Sequence, residues 1–139
     1  MDRQRAVRGA AAACRRAVGL VLPGRDVVVA LVDDRAIARL HGRFLGDPTP
    51  TDVLSFPHGE IVASGETARR EAEARGIPPL HELLLYVVHG SLHLAGYRDG
   101  KAKDRARMRR AERRVLASLG VGDVFGASER EHRKRGPVS

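Results

Sequence analysis

The chain has 139 residues and a mass of 15.1 kDa, which is enough for one domain with its own hydrophobic core. No apolar run approaches the roughly 18 to 20 residues that cross a bilayer, so we expect no membrane span. The first residues lack an apolar stretch followed by a cleavage site, which argues against a secretory signal. We therefore expect neither an integral membrane protein nor an exported one.

The charge balance indicates the kind of partner. Lys and Arg outnumber Asp and Glu by 25 to 17, which gives a net charge of +8 and a pI near 10.9. This excess favours a polyanion, because each phosphate contact releases counterions, although a basic surface that only aids solubility has the same composition. Nearly all the basic residues are Arg, which pairs with phosphate and stacks on bases. The single cysteine, Cys14, suits a reducing compartment, so we expect a cytoplasmic protein.

The first half of the chain alternates helical and extended patterns. Residues 2–18 place apolar side chains at helical spacing and predict an amphipathic helix that is ended by Gly19 and the Pro23-Gly24 pair. Residues 26–32 are rich in β-branched side chains and predict a buried strand. Asp33 or Asp34 is expected to cap a helix that continues to about residue 43. After a loop over residues 46–50, two further strands are predicted over residues 51–57 and 59–63.

The second half is mainly helical. Ser64 is expected to cap a helix that runs to Arg75. Residues 80–95 are apolar around most of the helix circumference and predict a central, buried helix with Gly96 as its C-cap. Residues 101–119 predict a long, charged, amphipathic helix. We therefore expect one domain over residues 1–120, followed by a basic, flexible tail over residues 121–139.

Two histidines stand four residues apart near the end of the apolar helix. His89 and His93 lie on one helical face, so both imidazoles can reach the same point. Gly96 can adopt a positive φ and reverse the chain, which can return Asp99 to that point. Two imidazoles and one carboxylate leave a position open for water, which is typical of a catalytic zinc site. The alternatives are a buried structural histidine pair and an N-cap role for the aspartate.

The residue after the first histidine bears on the reaction. In the metalloprotease helix motif a glutamate follows the first histidine and acts as the general base. Here that position is Gly90. Peptide hydrolysis by this route is therefore disfavoured, and a base must come from elsewhere or from the water on the metal.

These residues resemble the YbeY family of bacterial endoribonucleases, the rRNA maturation factors. The family signature reads H-G-x-L-H-L-x-G-Y-D-H, and residues 89–97 (HGSLHLAGY) follow it without a break. A second family block, P-T-D-V-L-S-F-P, is intact at residues 50–57. The resemblance covers roughly residues 25–119, and two long motifs in the right order make it specific.

Two positions depart from the family pattern. The final D-H of the signature is Arg98 and Asp99 here, so Asp99 would replace a histidine as the third metal ligand and make the site more anionic. The family often has Tyr-Arg-Gly before the P-T-D block, where this chain has residues 44–46 (FLG). Leu45 thus stands in place of an arginine thought important for activity, and the nearby Arg43 is the candidate substitute.

The resemblance implies an α/β (α+β), zincin-like single domain, in which a small mixed sheet packs with helices around a central metal-binding helix. It implies a metal-dependent, single-strand-specific endoribonuclease that matures the 3′ end of small-subunit rRNA and acts in ribosome quality control. The expected cofactor is one Zn²⁺ per chain, or another divalent metal, on His89, His93 and Asp99. Expected partners are RNA and the small ribosomal subunit, with ribosomal proteins or a GTPase as candidates and the oligomeric state left open.

Three further residues are candidates for catalysis. Ser55 lies in the second family block, where it either faces the cleft or makes a strand-end hydrogen bond. Arg98 and Arg43 are candidates to contact phosphate. Two rival functions remain: a non-catalytic, ribosome-associated factor that keeps the metal for stability, which Leu45 leaves open, and a zincin-type metallopeptidase, which Gly90 disfavours.

Overall fold

The computed structural model describes residues 3–122 of the chain. Within that range the elements are α1 (Arg3–Val21), β1 (Val28–Val32), α2 (Asp34–Leu45), β2 (Val53–Phe56), β3 (Glu60–Ser64), α3 (Gly65–Arg75), α4 (Pro79–Leu94) and α5 (Ala102–Ser118). The helices and strands predicted from the sequence are present in the predicted order. The flexible tail stays a prediction, since residues 123–139 lie outside the described residues.

The three strands form one mixed sheet in the order β1-β3-β2. The first and third strands are parallel, with Val28 opposite Glu60 and Val32 opposite Ser64. The second and third strands are antiparallel, with Val53 opposite Ala63. A small mixed sheet among helices confirms the predicted α/β fold class.

The sheet separates helix α2 from the helices that pack around α4. On one face, Val62 and Leu54 pack against Ile37 of α2 in a small apolar cluster. Alternate residues point to the other face, where Ala63 joins the larger core together with α4. Helix α4, which carries His89 and His93, therefore lies directly on the sheet.

Helix α4 is the centre of the fold. It packs against the sheet and against α1, α3 and α5, and every residue from Glu82 to Val88 is buried. Cys14, Ala17 and Val18 of α1 and Met108 and Leu116 of α5 share its core. The prediction of a central, buried helix is confirmed, and α1 and α5 form an outer layer over it.

The first helix and the first strand differ in detail from the prediction. Helix α1 passes Gly19 and ends at Val21, before the Pro23-Gly24 pair, and Leu22 still donates its amide to the carbonyl of Val18 at 2.7 Å. The strand predicted to be buried, β1, is an edge strand, so Val28 and Leu31 are 61% and 53% exposed. Hydrophobic composition cannot distinguish an edge strand from a central one, because strand order depends on partners distant in sequence.

Within residues 3–122, no helix combines the length and apolarity that a membrane span requires.

The carboxylate of Asp34 joins three elements beside the sheet. It accepts hydrogen bonds from the hydroxyls of Ser64 at the end of β3 and Thr67 of α3, and it pairs with Arg70 at 2.6 Å. The two hydroxyls, followed by the guanidinium, hold the pKa of Asp34 at about 2, below its usual value. This network fixes the start of α2 to the start of α3.

Replacing Asp34 by Asn is expected to lower the free energy of unfolding by about 1 to 2 kcal/mol at pH 7. Because the folded-state pKa is depressed, this stabilisation is present above pH 3.8 and is lost as the pH falls towards about 2. Urea unfolding at pH 7 and near pH 2.5 measures the difference, with exposed Asp26→Asn as the control. A difference that is equal at both pH values would contradict the role of the charge.

Candidate metal centre

The two histidines of α4 present their outer ring nitrogens to one point. His89 Nε2 lies 3.0 Å from His93 Nε2, and the ring centroids are 4.6 Å apart at an interplanar angle of 81°. The spacing of four residues places both rings on one face of the helix, as the sequence predicts.

The turn after α4 brings the carboxylate to the same point. Ala95 is the C-cap, and Gly96 follows it with φ +104°, so the prediction of Gly96 as the cap was wrong by one residue. Tyr97 donates its amide to the carbonyl of Leu92 at 2.9 Å, which closes the reversal. The chain then returns Asp99 Oδ2 to 3.3 Å from His89 Nε2 and 3.2 Å from His93 Nε2.

The three converging atoms fit a divalent metal. Tetrahedral ligands at bond lengths of about 2.0 to 2.1 Å stand roughly 3.3 to 3.4 Å apart, close to the separations of 3.0 to 3.3 Å here. Two imidazole nitrogens and one carboxylate oxygen are a donor set that zinc accepts. His89, His93 and Asp99 are all half-buried, so a ligand from solvent can reach the point between them.

The inner ring nitrogens of both histidines are also engaged. His89 Nδ1 lies 3.0 Å from Glu112 Oε2 on α5, and His93 Nδ1 lies 3.1 Å from the carbonyl oxygen of Tyr97. Both partners accept, so each ring donates its Nδ1 proton outward and directs the Nε2 lone pair to the shared point. This arrangement orients the two rings as metal ligands require.

Glu112 is a residue of this site that the sequence analysis missed. Its side chain is 5% exposed, although it belongs to a helix whose other charges mostly face outward. A signal does exist in the sequence, because Met108, Glu112 and Leu116 share one face of α5 and the flanking pair is apolar. An acidic residue on the buried face of a basic helix indicates a partner, but which partner depends on the packing of α5 on α4.

The electrostatics of the centre favour a cation. Burial disfavours the charged form of His89, but hydrogen bonds to Asp99 and Glu112 outweigh it and raise its pKa to about 9. The hydrogen bond from His89 lowers the pKa of Asp99, against the effect of burial. Burial raises the pKa of the nearby Asp52, which the charge of His89 opposes. In the protein without metal, the two carboxylates thus stabilise a proton on His89. The same negative charge would stabilise a metal ion bound at this point.

The three candidate catalytic residues lie around this centre in different ways. The hydroxyl of Ser55 on β2 donates to the carbonyl of Gly90 at 3.1 Å, next to the first histidine. Arg98 is exposed and directly precedes Asp99. Arg43 is exposed at the end of α2, with its guanidinium 5.5 Å from the ring centroid of Phe44. Within residues 3–122, none of the three contacts the predicted ligands by a hydrogen bond or an ion pair, so their catalytic roles stay predictions.

Gly90 is the point where α4 lies closest to the sheet. A Cβ at this position would come within 2.9 Å of Ile61 Cγ2 and of Ser55 Oγ, and Ile61 is fully buried. The place that a metalloprotease gives to its glutamate is therefore filled by the strands. The close packing supplies a physical reason for glycine after the first histidine.

Replacing Gly90 by Ala is expected to lower the free energy of unfolding by about 1 to 2 kcal/mol. Overpacking against the sheet costs about 1 to 3 kcal/mol, while the better helix propensity of alanine returns up to about 1 kcal/mol. Thermal or urea unfolding measures the effect, with Gly9→Ala on α1, where a Cβ meets no atom within 4 Å, as the matched control. A variant at position 90 as stable as the control would contradict the close approach.

The fold and the site together define a small α/β protein with a three-residue centre suited to a metal. Comparison with known proteins shows the family to which it belongs. The family model for Endoribonuclease YbeY matches residues 4–120, so the chain belongs to the endoribonuclease YbeY family. This family is one of metalloenzymes.

Relatives named Endoribonuclease YbeY cover most of the chain. The protein of Rhodopseudomonas palustris (strain CGA009) is 37% identical over 77% of this chain and 64% of its own length, and that of Rhodopirellula baltica is 44% identical over 69% and 55%. The protein of Paracoccus denitrificans is 39% identical over 79% of this chain and 76% of its own length. The chain therefore spans less than two thirds of the first two relatives.

A solved structure shares the fold. The solution structure of TM1509 from Thermotoga maritima has a TM-score of 0.57 and 25% sequence identity, and the match covers 86% of this chain and 87% of that one.

Proposed function

We propose that this protein is a metal-dependent, single-strand-specific endoribonuclease that matures the 3′ end of small-subunit rRNA and acts in ribosome quality control. The observation that carries the proposal is the convergence of His89 Nε2, His93 Nε2 and Asp99 Oδ2 within 3.0 to 3.3 Å of one another. Membership of the endoribonuclease YbeY family supports RNA as the substrate. The location proposed for this activity is the cytoplasm, with ribosomal proteins or a GTPase as candidate protein partners.

His89, His93 and Asp99 would hold the metal, one per chain, and zinc is the proposed ion because its usual donors match this set. When bound, such an ion supplies Lewis-acid chemistry, lowering the pKa of a coordinated water and polarising a phosphoryl oxygen. Glu112 accepts a hydrogen bond from the Nδ1–H of His89, and the carbonyl of Tyr97 accepts one from the Nδ1–H of His93. The protein's part is thus to keep two neutral rings in a fixed orientation.

The surrounding residues have separate proposed roles. Arg98 is exposed beside the third ligand, where a guanidinium can pair with the phosphate of the scissile segment. Arg43 is the proposed substitute for the arginine that Leu45 replaces. Its guanidinium lies over the exposed ring of Phe44, and this cation–π contact would orient it. Ser55 is proposed to fix the backbone of α4 at Gly90, next to His89.

Cleavage of ribosomal RNA by the purified protein tests the proposal. Products with defined ends should form with the metal-loaded protein, disappear after chelation and return when metal is added back. Products that persist after chelation would indicate a contaminating nuclease and would contradict the proposal.

The same samples separate the two rival functions. A non-catalytic metal-binding factor would retain stoichiometric metal and leave the RNA intact. A metallopeptidase would hydrolyse casein in a chelator-sensitive way, which the filled position at Gly90 argues against.

Asp99 is the proposed third ligand, and its replacement has two expected results. Asp99→Ala should lower the bound metal per chain, because one of three donors is lost, whereas Asp99→His should retain the metal, since imidazole is also a zinc donor. Elemental analysis after dialysis measures both, with exposed Asp26→Ala as the control. Unchanged metal content in Asp99→Ala would remove this residue from the site.

A further inference from the structure

The positive charge of the protein is concentrated on two helices. Helix α1 contains five arginines and no acidic residue, and α5 contains seven basic residues and two acidic ones. The two helices together contain twelve basic and two acidic residues, an excess of ten. This excess is larger than the net charge of +8 for the whole chain, so the rest of the sequence is slightly acidic. The basic character belongs to one layer of the fold.

The exposed side of α5 carries a row of cations. Lys103, Arg107, Arg110 and Arg114 are all exposed, and their spacing places them on one stripe of the helix about 16 Å long. The opposite side is buried against the core through Met108 and the residues around it. The row therefore faces away from α4.

Helix α1 repeats this arrangement beside α5. Arg5, Arg8, Arg15 and Arg16 are exposed, while Cys14, Ala17 and Val18 are buried against α4. The two helices contact each other as well as α4, so their outward sides lie in one layer. We call these eight side chains the α1–α5 face.

Within the described residues 3–122, none of the eight side chains of the α1–α5 face forms an ion pair with a carboxylate. Of the two acidic residues on α5, Glu112 is buried and turned to His89. Unpaired cations in a row attract a polyanion and release its counterions on contact.

We propose that the α1–α5 face binds the sugar-phosphate backbone of helical RNA. The inference rests on the proposed function, because it assigns to this surface the folded part of the RNA whose single-stranded segment is cut at the metal centre. Neither helix contains an aromatic residue, so the face offers guanidinium groups for phosphates and no rings on which unpaired bases could stack. A membrane is disfavoured, since Cys14, Ala17 and Val18 of α1 and Met108 and Leu116 of α5 are already buried in the core, and the 51% exposed Leu20 of α1 is not enough to anchor the face.

The face and the metal centre are joined by one element. Helix α5 carries the outward row of cations, and from its buried side Glu112 reaches His89. RNA bound along the outer side of α5 is thereby held at a fixed position relative to the centre. This gives the enzyme contacts that do not depend on base sequence.

Binding of a blunt-ended RNA duplex at several salt concentrations tests the proposal. The variant Arg107→Gln, Arg110→Gln, Arg114→Gln should raise Kd at least about tenfold at 0.1 M salt and reduce the slope of log Kd against log salt by about 2 to 3. The variant Arg35→Gln, Arg39→Gln, Arg69→Gln removes the same charge from exposed positions on α2 and α3 and should bind as the wild type does. Circular dichroism checks that both variants are folded.

The outcomes are distinct. Equal weakening in both triple variants would show an effect of net charge alone and would overturn the proposal, as would unchanged duplex binding in the α5 variant. Binding to anionic phospholipid vesicles that exceeds duplex binding would also overturn it. Cleavage of a short single-stranded RNA should be the same in the α5 variant and the wild type. Duplex binding is measured separately from cleavage. A wild type that cuts no RNA would therefore contradict the proposed function, while the duplex Kd of the α5 variant would still decide whether the α1–α5 face binds RNA.

Discussion

Replacing His93 by Ala is expected to lower the rate of RNA cleavage by about 1,000-fold or more, because the metal is lost together with its Lewis-acid chemistry. His93 contributes one of the three converging atoms, and its ring also fixes the turn through the carbonyl of Tyr97. Two remaining donors, His89 and Asp99, would leave the metal weakly held.

Cleavage rate and bound metal, measured on the same preparation, check this expectation. His58→Ala is the matched control, because His58 is 70% exposed and lies outside the cluster of possible ligands. A His93→Ala protein that cleaves RNA at the wild-type rate would contradict the metal centre as the site of the reaction.

Replacing Glu112 by Gln is expected to weaken metal binding by about 10- to 100-fold without unfolding the protein. Glutamine keeps the shape and can still accept the Nδ1 proton of His89, but it removes the charge that makes the ring a better ligand. Competition with a chelating dye measures the metal affinity. Glu73→Gln, at an exposed position on α3, is the control with the same change of charge.

The same variant has a second, independent readout in the metal-free protein. The pKa of His89, raised to about 9 in the wild type, should fall, because one of its two carboxylate partners is neutral. The pairing of the charged ring stabilises the fold fully below pH 6.5 and is lost as the pH rises to about 9, so the variant should lose stability mainly at lower pH. An unchanged His89 titration by NMR, with unchanged metal affinity, would show that Glu112 has only a packing role.

The three candidate metal ligands could be predicted from the sequence because they are close together along the chain. His89 and His93 are one helical turn apart, and Asp99 follows after a reversal at Gly96 that glycine allows with φ +104°. Local geometry alone brings these three side chains together. The helix itself was also predictable, since its apolar circumference has no other stable environment than the centre of the fold.

The other partners of the site depend on tertiary contacts. Glu112 is 23 residues from His89, and only the packing of α5 on α4 shows that the two side chains meet. The contact of Ser55 with Gly90 crosses from the sheet to the helix over 35 residues. The exposure of β1 follows from strand order, which composition does not encode. Sequence patterns thus predict the ligands, while packing determines what orients them.

Titration of metal into the metal-free protein, with bound metal and RNA cleavage measured on each sample, tests the central claim most directly. We expect cleavage to rise in proportion to bound metal and to reach its maximum at about one ion per chain, in keeping with the three-donor centre of His89, His93 and Asp99. Cleavage that is already maximal without metal, or metal that binds with equal affinity to His93→Ala, would contradict the assignment of the reaction to His89, His93 and Asp99.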